Sequence, residues 1–237
     1  MKNNNKAIIF THHNNTDFEI QNSNIIKNYN PNWDFYSIGF EGYNLLPGSL
    51  TAYRENYPNN TGLATITTQC PDNPDWYSCD ILLCEAYRQI PNYESYFVIE
   101  YDTVCNCSIE DFFKLDQDFF GNNVKHNVDE WEWVDRYLSF SNSSKRDFGA
   151  IGQSTCIFFK NYALKKFYTE MTDNKHLYHN MLSELRVGTV MKSLNILNKP
   201  RPDIEDFISY ETWRINPNFN QKYFYHPIKS FDIIDER

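Results

Sequence analysis

The chain has 237 residues, a net charge of −9 and 41% hydrophobic residues. That apolar content is enough for a substantial core. The acidic balance, with no long lysine or arginine run, argues against a nucleic-acid backbone or an anionic membrane as partner. The longest apolar runs, such as Ala7 to Phe10 and Cys156 to Phe159, are strand-sized and fall far short of the ~20 residues that cross a bilayer.

Lys6 to Phe10 reads as a first buried strand, ended by the polar cluster Thr11-His12-His13-Asn14-Asn15. Phe18, Ile20, Ile25, Ile26 and Tyr29 then suggest a helix closed by Pro31. Trp33 to Ile38 has strand composition, and Gly39, Gly42, Pro47 and Gly48 break the chain after it. The opening is therefore expected to be a βαβ unit, and the Tyr- and Asn-rich segment beyond residue 50 carries no assignment. The N-terminal segment MKNNNKAIIFTHH has an apolar run too short for the core of a secretory signal, so a cytoplasmic protein is expected.

From Pro74 to Ile90 the pattern is helical, with Trp76, Asp80, Leu83 and Tyr87 at spacings of three and four. Tyr96 to Ile99 is a continuous apolar run of the kind a strand shows when both its faces are covered. Ile109 to Phe120 reads as a short amphipathic helix, Trp131 to Tyr137 as an aromatic and charged segment, and Thr155 to Phe159 as another strand. Tyr162 to Thr169 and His179 to Leu194 are helical, and a polar, proline-containing tail follows. With no internal repeat and no linker, one α/β domain spanning 1–237 is expected. The cysteines Cys70, Cys79, Cys84, Cys105, Cys107 and Cys156 lack paired CxxC spacing and are expected to be thiols.

In open α/β sheets ligands bind beyond the carboxyl ends of the strands, where the strand order switches. Thr11-His12 and Glu100-Tyr101-Asp102 both fall at such ends. On an extended backbone residues i and i+2 share a side, so Glu100 and Asp102 are expected to project together while Tyr101 faces away. Two hard oxygen donors suit Mg²⁺ or Mn²⁺ holding a diphosphate; a solvated strand end has the same composition. Late in the chain, YFYHPIKSFD sets His226 three residues from Lys229, with Pro227 stiffening the turn. An imidazole is a reasonable third ligand and a lysine a point charge for phosphate, although such a segment is also ordinary surface sequence.

The apolar strand, the acid-x-Asp triplet and the late His with its nearby Lys resemble the GT-A class of nucleotide-sugar glycosyltransferases. Glu100-Tyr101-Asp102 stands as this sequence's version of the DXD motif, with Glu in place of the usual first Asp. The helix from Trp76 to Asp80 ahead of YFVIEYDT extends the similarity, which spans roughly residues 6 to 229. The resemblance implies a Rossmann-like, mostly parallel sheet flanked by helices, with a nucleotide-binding part over about 1–120 and an acceptor-side part over about 121–237. It implies transfer of a sugar from a nucleoside-diphosphate sugar, UDP by the habit of the family, to a hydroxyl of a glycan or other acceptor, with Mn²⁺ or Mg²⁺.

Carried over by position, Asp102 makes the direct metal bond, Glu100 is a water-mediated or ribose-side partner and His226 is the third ligand. Thr11 and His12 border the base and ribose, Asp80 points toward them, and Arg88 reaches the diphosphate or an acid. Tyr101 and Lys229 complete the donor side. Glu184, in Ser183-Glu184, is the catalytic base, with Asp129, Glu130, Glu132 and Asp135 as rival acids and Trp131 and Trp133 as an acceptor surface. Two other readings stay open: a metal-dependent phosphohydrolase or nuclease, and a non-catalytic sugar-nucleotide or carbohydrate-binding protein.

Overall fold

Every residue from Ala7 to Phe10 is fully buried, which a strand achieves when both its faces are covered. The computed structural model describes residues 5–53, 56, 79–122, 124–126, 128, 148–151, 156–173, 183–197, 208–209, 214–215, 224–226, 228 and 230–231. In it the chain opens with β1 (Lys6–Thr11), α1 (Asp17–Tyr29), β2 (Asp34–Phe40) and β3 (Leu50–Ala52). Next come α2 (Cys79–Gln89), β4 (Ser95–Glu100), β5 (Val104–Cys105), α3 (Ile109–Phe112) and β6 (Phe119–Gly121). The second half holds β7 (Ile157–Lys160), α4 (Asn161–Asp173) and α5 (Ser183–Ser193). Four short strands follow: β8 (Ile208–Ser209), β9 (Arg214–Ile215), β10 (Phe224–Tyr225) and β11 (Ser230–Phe231).

The central sheet has the order β3-β2-β1-β4-β7-β6. The β3, β2, β1 and β4 strands run parallel, and β7 is antiparallel to both of its neighbours. This is a mixed α/β fold with a mostly parallel sheet flanked by helices. The βαβ opening is present as β1-α1-β2, and Tyr96 to Ile99 lies inside β4, whose six residues are all buried. Alternation decides which residue meets which layer. Ala7, Ile9, Tyr96 and Val98 share one core with residues of α2, α4 and α5, whereas Ile8, Phe10, Phe97 and Ile99 pack with Ile26, Trp33 and Phe113.

The helix expected from Ile109 to Phe120 needs correction. Only Ile109–Phe112 is helical, and Phe119 and Phe120 belong to β6. Phe119 packs into the first core and Phe120 into the second, a period of two that a helix cannot deliver. The starts of the expected helices at Pro74 and His179, and the Trp131 to Tyr137 segment, lie outside the described residues.

The inner face of α1 is unusual in being polar: its buried residues are Glu19, Asn22, Ser23 and Ile26. Its start is fixed by a capping box in which Thr16 and Glu19 bond each other's backbone N–H groups, satisfying two donors the helix cannot use internally. On the other layer α5 approaches the segment 148–151 through Gly188. A Cβ there would strike the Ala150 backbone, so only glycine permits this contact. The Gly149 N–H also donates to the Thr189 hydroxyl, which donates back to the Gly149 carbonyl. Gly188→Ala is expected to destabilise the fold by about 1–3 kcal/mol through overpacking, read as a lower urea midpoint with an unchanged slope.

Candidate functional site

The strand order places β2 and β3 on one side of β1 and β4 on the other, so the switch in direction falls between β1 and β4. Thr11 and Glu100 are register partners at the carboxyl ends of these strands. A cleft opens there, lined by Thr11 at the end of β1 with His12 and His13 after it, Glu100 at the end of β4 with Tyr101 and Asp102 after it, and Cys79, Leu82 and Phe40 around them.

The two acids converge, by a different route from the one the sequence suggested. The β4 strand ends at Glu100, and the Thr103 N–H donates to the Glu100 carbonyl at 2.9 Å, closing a tight turn. Strand alternation therefore stops at Glu100, and Tyr101 is not turned away. Its ring lines the same cleft and meets His13 edge-on, with centroids 4.2 Å apart.

His226 reaches this turn through a small second sheet. Just past Asp102, β5 pairs antiparallel with β10, Tyr225 opposite Val104. One residue beyond Tyr225, the imidazole turns Nε2 to the acids, 3.3 Å from Asp102 Oδ1 and 3.7 Å from Glu100 Oε2. The Ile228 N–H then donates to the Asp102 carbonyl at 2.8 Å. One donor atom each from Glu100, Asp102 and His226 lie within 4.8 Å of one another, and all three residues are buried. Bonds of about 2.1 Å at right angles set neighbouring ligands about 3 Å apart; the imidazole lies 3.3 and 3.7 Å from the two carboxylates, so these three residues are the ones that would hold a small divalent cation by drawing closer together. Carboxylate oxygens suit hard divalent cations and an imidazole suits transition metals, so this donor set could hold a divalent metal ion.

Behind the acids, the Cys79 thiol donates to Glu100 Oε1 at 3.1 Å. Burial, reinforced by the Glu100 charge, pushes this thiol well up, so it stays protonated and keeps donating. Asp80 does not turn to the cleft. Its two oxygens accept from Arg186 Nε and Nη2 at 2.5 and 2.6 Å, and both side chains are almost fully buried. Two residues before Arg186, Glu184 accepts from the Ser183 hydroxyl at 3.1 Å, and burial pushes its carboxyl up to about 7.

His12 lines the cleft with both ring nitrogens engaged. A carbonyl can only accept, so Nδ1 donates to Asn14 O at 3.0 Å and Nε2 accepts from the Ser49 hydroxyl at 2.9 Å. Burial lowers its pKa, which keeps this neutral tautomer. Arg88 is not brought to the cleft: it grips Glu85 with two hydrogen bonds of 2.8 and 3.0 Å, in the last turn of a helix whose first residue is Cys79. Lys229, Asp129, Glu130, Trp131, Glu132, Trp133 and Asp135 lie outside the described residues. Sequence reasoning missed Cys79, Arg186 and Asn22. Arg186, a charge inside the apolar run Leu185 to Met191, carried a signal that a buried partner was needed.

No family model and no curated protein matches the sequence. Among solved structures, the chain is similar to a glycosyltransferase involved in the glycosylation of the major capsid of PBCV-1. The two are 14% identical over 82% of this chain and 79% of that one, with a TM-score of 0.40. An active-site mutant of LgtC is 10% identical over 79% and 69%, with a TM-score of 0.43. Mouse xyloside xylosyltransferase 1 is 8% identical over 83% and 85%, with a TM-score of 0.42.

Removing one member of a buried ion pair leaves the other charge uncompensated. Arg186→Met should therefore cost about 3–5 kcal/mol, and Asp80→Leu with Arg186→Met should recover most of that loss in urea unfolding. Glu184 supplies a second check. The folded protein holds its proton up to about pH 7, while the unfolded chain releases it near 4.5. Stability contributed by this group is thus full below about 4.5, falls as pH rises to about 7 and stays low above it. Glu184→Gln carries no charge to bury and is expected to gain up to roughly 3 kcal/mol over the natural protein at pH 8. The gain should vanish at pH 4.

Proposed function

We propose that this protein is a glycosyltransferase of the GT-A kind, transferring a sugar from a nucleoside-diphosphate donor, UDP-linked by preference, to a hydroxyl acceptor such as a glycan. The observation that carries the reading is the convergence of Glu100, Asp102 and His226 at the strand-order switch, where open α/β sheets bind ligands. Asp102 and His226 would hold a Mn²⁺ or Mg²⁺ ion, with Glu100 beside them. When bound, such an ion offsets the charge that grows on a leaving diphosphate.

The residues of the chain divide the remaining work. Thr11, His12, His13 and Tyr101, which line the cleft, are assigned to the donor. Lys229, three residues past His226, is assigned to a phosphate oxygen as a point charge. Glu184 is assigned to take the proton of the attacking hydroxyl; a carboxyl pushed up to about 7 is a stronger base than an ordinary glutamate and is still ionised at mildly alkaline pH. With Glu184 in that role the anomeric configuration inverts. A phosphohydrolase calls for more clustered ligands, and among the described residues Glu100, Asp102 and His226 form the one such group.

Thermal shift with a panel of nucleoside diphosphates and sugar nucleotides, with and without Mn²⁺, tests the proposal. Stabilisation by at least one nucleotide should require Mn²⁺ and disappear in Asp102→Ala. No shift with any nucleotide in either condition sinks the reading. A shift unaffected by Asp102→Ala removes the metal from it.

A further inference from the structure

The turn that carries the acids has four carbonyls to satisfy, and each has a partner. The Glu100 carbonyl takes the Thr103 N–H, and the Asp102 carbonyl takes the Ile228 N–H. The remaining two are bonded by one side chain from another part of the fold: Asn22 Nδ2 donates to the Tyr101 carbonyl at 2.8 Å and to the Thr103 carbonyl at 2.9 Å. Two carbonyls can only accept, so this pair of contacts fixes which end of the amide faces the turn.

Asn22 is fully buried in the middle of α1, a place where asparagine is among the weaker helix formers. A leucine there would suit the helix better but would remove the bond that each of these two carbonyls receives from α1. We infer that Asn22 is a positioning residue for the acidic turn. By holding the carbonyls on either side of Asp102, it sets the pitch at which the Asp102 carboxylate faces His226. The same grip keeps the Asp102 carbonyl aimed at Ile228, so a side chain near the N-terminus fixes how the His226 segment docks.

The positioning role stands on the hydrogen bonds alone; its consequence for cation affinity rests on the metal reading of the proposed function. Two measurements on the full chain separate them. In metal-free protein, Asn22→Leu is expected to speed hydrogen exchange at the Thr103 and Ile228 amides by tenfold or more. Mn²⁺ titration followed by electron paramagnetic resonance should show at least a tenfold weaker Kd in the same variant. Ser23→Ala, on the same buried face, removes a bond made within the helix, Ser23 Oγ to the Ile20 carbonyl, and should change neither. Should Asn22→Leu fail to fold, Asn22→Ser, with one short donor, carries the same comparison.

Natural exchange rates at both amides in a folded Asn22 variant overturn the inference. Equal acceleration in Ser23→Ala also overturns it, because the effect would then belong to general loosening of α1. If the natural protein binds no Mn²⁺ while the Asn22 variant still loses protection, the positioning role holds and the metal reading falls.

Discussion

The backbone carbonyls of Glu100 to Thr103 have to be satisfied in a part of the fold where Asp102 is 6% and Thr103 0% exposed. An unpaired buried carbonyl costs about as much as a lost hydrogen bond, and four in succession would be prohibitive. Three separate devices meet the demand: the turn's own bond, the Asn22 amide and the Ile228 N–H. Each draws in another element, so the cleft inherits its geometry from this constraint. With the carbonyls of the turn bonded within the protein, what the turn offers a ligand is its side chains, Glu100, Tyr101 and Asp102, which line the cleft.

The same constraint explains the polar inner face of α1. A helix packed on a sheet ordinarily buries an apolar stripe. Here one side of α1 covers a buried loop whose backbone groups need partners, and Asn22 and, just past the helix, Asn30 both reach out to it. Asn30 donates to the Cys107 carbonyl and accepts from the Ile109 N–H, repeating for residues 107–109 what Asn22 does for 101–103. Together the two asparagines carry the chain from β4 through β5 to α3.

Much of the central sheet was legible because its strands are buried on both faces. Runs such as Ala7 to Phe10 and Tyr96 to Ile99 leave no other assignment, and the acids of the cleft stand at the end of the second. Glu100 and Asp102 lie close together because the chain turns after Glu100, not because strand alternation continues through them. Arg88 meets an acid, Glu85, one of the two partners expected of it, whereas Asp80 faces Arg186 and not the cleft. Periodicity shows which side of a helix is buried, but the partner of a buried charge comes from elsewhere in the chain, and for Asp80 it lies 106 residues away in Arg186. The docking of His226 was equally hidden, because β10 is two residues long and such a strand leaves no pattern in the sequence.

Electrostatics in this region pull in opposite directions, and the structure resolves the conflict locally. Asp80 is neutralised by Arg186, Glu184 holds its proton to about pH 7, and Cys79 stays a thiol. Those three groups therefore add little negative charge beside Glu100 and Asp102. The two carboxylates of Glu100 and Asp102 face one imidazole, where a cation would offset the repulsion between them. On that reading the ion also links two distant parts of the chain, since Asp102 follows the central sheet and His226 follows β10. A ligand that binds only the docked arrangement stabilises docking by mass action. Cation binding would then tighten the Tyr225–Val104 pairing and the Ile228–Asp102 bond.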